Sequence, residues 1–173
     1  LSNVGPLGLS NKRSQFAECF CSVLVTQKTP SKSVCKMASL TRKIISTALA
    51  GKVSAPYSQA IVADRTVYVS GCLGMDKDTL KLVPGGIVPE TSQALKNLRT
   101  ILEAADSGID KVVKVTVFLG DIDDMPKFNE EYKKVFTHDF PARSCFAVAN
   151  LPLKARVEIE AVALTGDVKT IST

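Results

Sequence analysis

The chain has 173 residues, 45% of them hydrophobic, enough for one domain with a core of useful size and, at most, a tail. No apolar run approaches the length of a bilayer span, which excludes a transmembrane helix. The formal charge is +5, but residues 1–36 hold five basic side chains against Glu18 alone, leaving 17 basic and 16 acidic residues beyond them; a body so close to neutral argues against a nucleic-acid partner.

Residues 1–36 mix Gly, Ser, Asn, Lys and Pro around one short apolar patch, Cys19 to Val25, and show no sustained period. Three readings stay open for them: a non-native upstream extension, a disordered tail, or part of a basic, acid-poor transit peptide. The domain is expected over residues 37–173, with regular patterning from Thr41 onward.

Thr41 to Thr47 reads as a first strand. Tyr57 to Ala63 and Arg65 to Gly71 form a hairpin about Asp64, with Val67 and Val69 facing opposite to Thr66, Tyr68 and Ser70. A loop at Pro84-Gly85-Gly86 precedes a helix that carries Pro89 in its first turn. Its apolar stripe is Leu95, Leu98, Ile101, Leu102 and Ala105, and Gly108 is the expected stop. Lys111 to Leu119 is a strand with Val113, Val115, Val117 and Leu119 on one face. Asp123 or Asp124 then caps a second helix, with Pro126 in its first turn and a stripe of Met125, Phe128, Tyr132, Val135 and Phe136. Strands at Arg143 to Ala149 and Arg156 to Leu164 close the chain around a turn at Pro152. The order βββαβαββ predicts an α+β domain, a mixed sheet with two helices on one face. The other face, half apolar, then needs a partner, which points to an oligomer.

Much familiar chemistry is missing. There is no P-loop, no dinucleotide-binding glycine motif, no nucleophile elbow and no zinc-protease helix. The five cysteines include no C-x-x-C pair, and His138 is the single histidine, so no metal site is expected. A Cys72–Cys145 disulfide is not expected, and a reducing intracellular compartment fits better. His138 beside Asp139 reads as an exposed helix-end histidine.

Four features remain, each with a plain structural alternative. Phe140-Pro141-Ala142-Arg143-Ser144-Cys145 puts a guanidinium on the same strand face as Cys145, Ala147 and Ala149, a fork matched to a carboxylate; the plainer reading is an ion pair to Glu158 or Glu160. Val157-Glu158-Ile159-Glu160 sets two carboxylates on one strand face about 7 Å apart. One of them could be a general base raised by burial, or both could be solvated or paired with Arg156 and lysines. Ala55-Pro56-Tyr57-Ser58-Gln59 places a phenol at a strand end, for a cleft rim or simple packing. In Val69-Ser70-Gly71-Cys72, Gly71 permits close approach of a ligand or of another chain, or marks a bulge. Cys145, lacking a nearby base, reads as an inert thiol.

Together with Ile45-Ser46-Thr47, Asn129, Leu151-Pro152 and the strand through Ala161, these motifs resemble the Rid (YjgF-like) family of imine deaminases, its A-type subgroup in particular, over residues 39–168. The resemblance implies a chorismate-mutase-like fold and a homotrimer with clefts between subunits. It also implies cofactor-independent hydrolysis of 2-iminopropanoate and 2-iminobutanoate to keto acids and ammonia. In that pattern Arg143 binds the substrate carboxylate and Glu158 holds or activates water. Tyr57 lines the pocket, Ser70 and Asn129 belong to the substrate site, the backbone at Gly71 and Cys145 contacts substrate, and no metal takes part. The family often has glycine where Ala55 stands and glutamine where Cys72 stands, which leaves substrate preference open. A binding or chaperone-like trimer, and an RNA-cleaving inhibitor of translation, are the competing functions. The expected location is cytoplasmic, or mitochondrial if the tail is a targeting segment.

Overall fold

A computed structural model describes residues 39–51 and 55–171. The alternating and helical periods organise them as expected: β1 (Arg42–Ile45), β2 (Ala60–Ala63), β3 (Thr66–Leu73), α1 (Ile87–Ala104), β4 (Val112–Leu119), α2 (Met125–Val135), β5 (Ala142–Ala147) and β6 (Val157–Leu164), with short 3-10 turns between some of them. The first two strands are shorter than the pattern suggested. The 1–36 tail, with every reading made of it, lies outside the described residues.

The six strands form one sheet in the order β1-β2-β3-β6-β4-β5. All pairings are antiparallel except β4 with β5, which α2 connects as a parallel crossover. The last strand therefore enters the middle of the sheet. Its Val157, Ile159, Ala161 and Ala163 are buried in the core cluster with Leu95, Leu98 and Leu102 of α1, and Phe128 of α2 belongs to the same core. Both helices thus cover one face. The opposite face carries Tyr68 and Phe146, each about half exposed, among polar groups that include Thr116, Glu160 and the hydrogen-bonded Lys114 and Ser144; this mixed face is the one the alternation left over.

Three local expectations are corrected. Val113 does not join the buried row of β4: the pairing shifts between Val112 and Lys114, so Val113 is the extra residue of a bulge and is exposed while Val112 is buried. Gly108 does not stop α1. The left-handed residue is Asp106, at φ 56°, a conformation that Asp tolerates better than most residues, and Gly108 is extended.

Nor does Asp123 or Asp124 cap α2 with its side chain. Asp121 accepts from the Asp123 N–H at the preceding turn, and the buried carboxylate of Asp124 takes the Arg156 Nε–H at 2.8 Å instead. Arg156 also donates its backbone N–H to buried Glu90 of α1 at 2.7 Å. One residue thereby ties the starts of α1, α2 and β6 together. Arg156→Ala is expected to destabilise the fold by about 2 kcal/mol, because it strands a mostly buried carboxylate that loses a charge-assisted bond; denaturant titration measures it, and Asp124→Asn in the same background should recover part of the loss.

Candidate active site

The elements gather four of the seven candidate residues around one cavity. Tyr57, Ser70, Gly71 and Glu158 line a pocket of about 520 Å³ at the end of the sheet where β3 and β6 meet. The loop carrying Tyr57 is held by side chains of its own neighbourhood. Buried Gln59 accepts from the Thr47 N–H at 2.6 Å and donates to the Thr47 and Gly51 carbonyls. Ser70 donates its hydroxyl to the Ser58 carbonyl at 2.7 Å. Ser70 is therefore a brace for the Tyr57 loop in this state, while the Tyr57 side chain stands 55% exposed at the rim.

Glu158 is the chemical centre of this pocket. The β3 pairing shifts between Val69 and Cys72, so Ser70 and Gly71 form a bulge against β6. A Cβ on Gly71 would collide with the Glu158 carboxylate, so the glycine makes room for that group. The bulge reading of Gly71 holds, and the group that comes close to it within this chain is the Glu158 side chain. Among the described residues the Glu158 carboxylate has no hydrogen-bond or ion-pair partner, and the pairing with Arg156 that remained open does not form, since Arg156 serves Asp124 and Glu90. Burial pushes the Glu158 carboxyl above its ordinary value and the charge of Glu160 adds to the rise. Gly71→Ala is expected to leave the fold intact by circular dichroism while displacing this carboxylate, with turnover reduced about tenfold or more.

The other three candidates, Arg143, Cys145 and Asn129, lie elsewhere. Val115 of β4 pairs with Arg143, and Phe118 of β4 pairs with Glu158. Val115 is on the helix-covered face and Phe118 on the open one, so Arg143 and Glu158 point to opposite faces of the sheet. The plain alternative of an Arg143 ion pair to Glu158 or Glu160 is thereby excluded within one chain. Arg143 instead stacks its guanidinium over the rings of Tyr132 and Phe128 of α2, 4.7 and 5.5 Å from their centroids. That aromatic shelf was read from sequence only as a core stripe. Among the described residues no carboxylate pairs with Arg143. On the same helix the Asn129 Oδ1 and the Tyr132 hydroxyl are buried without a hydrogen-bond partner, polar atoms that a ligand or second chain at Arg143 could satisfy.

Neither body thiol has the character of a nucleophile. Burial pushes Cys72 up to about 12, with Glu158 adding to it. Cys145, which is only partly buried, is also raised by burial, with Arg143 pulling the other way. No group of three or more potential metal ligands exists among the described residues, and none of their helices is long and apolar enough to cross a membrane. His138 is exposed beside Asp139 as expected, but it lies past the C-cap Phe136 of α2 and is not part of the helix end.

The comparisons with known proteins converge. Residues 47–165 match the family model described as Endoribonuclease L-PSP. The chain is 64% identical over 134 residues to the RutC family protein UK114 of Drosophila melanogaster, covering 78% of this chain and 97% of that one. It is 52% identical over 136 residues to a 2-iminobutanoate/2-iminopropanoate deaminase of Capra hircus, covering 79% and 99%. Its fold matches the crystal structure of Escherichia coli TdcF with bound serine at a TM-score of 0.68 and 33% identity, covering 72% of this chain and 99% of that one.

Proposed function

Since the chain belongs to the Endoribonuclease L-PSP family, the YjgF/Rid proteins, we propose that it is a 2-iminobutanoate/2-iminopropanoate deaminase, hydrolysing 2-imino acids to 2-keto acids and ammonia. The observation that carries the reading is a pair of groups that have no ion-pair partner among the described residues: a stacked guanidinium and a carboxylate raised by burial. The related goat protein bears this activity as its name.

In the proposed reaction the Arg143 fork holds the substrate carboxylate, with Asn129 and the Cys145 backbone beside it. Glu158 takes a proton from water as the oxygen attacks the imine carbon, and the C=N bond becomes a C–N single bond. Glu158 returns that proton to the nitrogen, and the proton of the new hydroxyl then passes to the nitrogen as the carbonyl forms, so that the C–N bond breaks and ammonia leaves. The sum is imino acid plus water giving keto acid plus ammonia. Such hydrolysis runs unaided in water, so orientation and one base are sufficient, and no cofactor enters the scheme.

Opposite faces of one sheet cannot embrace one small acid. The site therefore needs a second copy, whose Arg143 half meets the Glu158 half of the first, and a closed ring of three copies supplies three such clefts while covering the open sheet face. Light scattering on the purified protein tests this, with a trimer mass expected. The near-neutral body and the single histidine weigh against RNA cleavage as the main activity. The proposed location is the cytoplasm, with the mitochondrion as the alternative; comparing the fractions that retain the full chain after cell fractionation decides between them. The activity itself is tested by following keto-acid and ammonia release from 2-iminopropanoate generated in situ. No acceleration by folded protein would move a binding or chaperone-like role to first place.

A further inference from the structure

Apart from the Tyr57 hydroxyl at the rim, the uncharged polar side chains around the Glu158 cavity are spent largely on the protein itself. Gln59 and Ser70 brace the Tyr57 loop. Buried Asn97 of α1 donates to the Leu73 and Met75 carbonyls at 3.1 and 2.9 Å and accepts from Gln93. Among the described residues this leaves Glu158 as the one charged group facing the cavity, and much of the remaining wall is apolar: Met75, Leu80, Ile101 and Leu153. A space of about 520 Å³ falls within the range of about 300–1,000 Å³ typical of sites for sizeable ligands. A three-carbon acid leaves most of it empty.

The rim departs from ordinary surface in the same direction. Leu80 and Leu153 stand 43% and 62% exposed at the cavity, and both have left-handed backbone, at φ 56° and 57°. Lys154, next in the turn, shares the conformation at φ 58° but does not line the cavity. Non-glycine residues adopt this region at a cost. Here the strained positions hold two large apolar side chains at the mouth of an apolar chamber.

We infer that this chamber is a side-chain subsite, with Leu153 as its specificity-determining residue, selecting 2-imino acids that bear a branched or unbranched aliphatic chain of about four carbons over those bearing a methyl group. The inference rests on the deaminase reading and adds the substrate class to it. The reacting carbon sits at Glu158, and the chain extends along Met75, Ile101 and Leu153, away from the carboxylate. Each methylene so buried favours the longer substrate, and three added carbons give a preference of about tenfold or more.

The test compares kcat/KM of the full chain for imino acids made in situ by an amino-acid oxidase from leucine and from alanine. The leucine-derived substrate is expected to lead by at least tenfold. Leu153→Ser should bring the ratio close to one, whereas Lys154→Ser, in the same strained turn, keeps the wild-type ratio; that contrast separates specificity from turn stability. Calorimetric titration with the stable products 4-methyl-2-oxopentanoate and pyruvate reads the same subsite without turnover. Equal or reversed preference in an active enzyme overturns the inference and leaves the deaminase reading standing. Absence of turnover on both substrates removes the deaminase reading, and the keto-acid titration then decides the subsite: tighter binding of the longer acid upholds it, and equal binding overturns it.

Discussion

Arg143→Ala is expected to lower kcat/KM for 2-iminopropanoate by about a thousandfold, about 4 kcal/mol of transition-state stabilisation, with the circular dichroism spectrum unchanged. The magnitude follows from what the side chain does in the proposed site. Its planar face is occupied by Tyr132 and Phe128, which leaves the N–H edge for a ligand, and a bidentate guanidinium–carboxylate contact makes two charge-assisted bonds of about 1.5–3 kcal/mol each. Arg143→Lys keeps the charge but loses both the fork and the flat stacking surface, so it should recover only a small part of the activity. Steady-state release of keto acid and ammonia measures both variants. If Arg143→Ala were to retain wild-type kcat/KM, the anchor would lie elsewhere and the carboxylate role of Arg143 would fall.

Glu158→Gln is the second large effect, a loss of about 10²–10³ in kcat with KM little changed, since the amide fills the same space and cannot accept a proton from water. The pH dependence separates this base from a merely structural carboxylate. Glu158 works as the carboxylate, so activity rises with pH through its pKa. Burial, and then Glu160, raise that pKa above the ordinary glutamate value, so the ascending limb should sit higher than for an exposed Glu. Glu160→Gln removes the like charge on the same strand face and should move the limb down. The effect on stability has the opposite sense: the folded chain favours the protonated form, so this group's contribution is full below its unfolded pKa and is lost as pH rises through the folded one. Activity and stability should therefore diverge across that window, which a paired pH–rate and pH–unfolding series measures directly.

Much of the architecture could be read along the chain because it is a matter of local period. Alternation in β3 and β6, and three- and four-residue spacing in α1 and α2, are written into consecutive residues, and the element order βββαβαββ follows from them. The local misses share one cause. A bulge at Val113, a left-handed Asp106 in place of Gly108, and an Asp124 drawn away from its helix cap to Arg156 all depend on what a neighbouring element offers. No sequence pattern distinguishes a capping aspartate from one that an arginine 32 residues later will claim.

The candidate site divides along the same line. Residue type and motif were sufficient to single out Arg143, Glu158, Tyr57 and Gly71, because a guanidinium on a strand of small residues, a paired-carboxylate strand and an S-G step are local features. Alternation also tells which neighbours each side chain shares a face with on its own strand. It says nothing about how one strand's parity relates to another's. That relation is set by register, and only the pairing of β4 with both β5 and β6 puts Arg143 and Glu158 on opposite faces. Likewise the aromatic shelf beneath Arg143 and the apolar chamber beside Glu158 are built from segments distant in sequence. The chain's own order determined the elements and the chemical groups they carry; tertiary structure decided which groups meet, because contact across a sheet depends on non-local hydrogen-bond register and strand order that no single segment encodes.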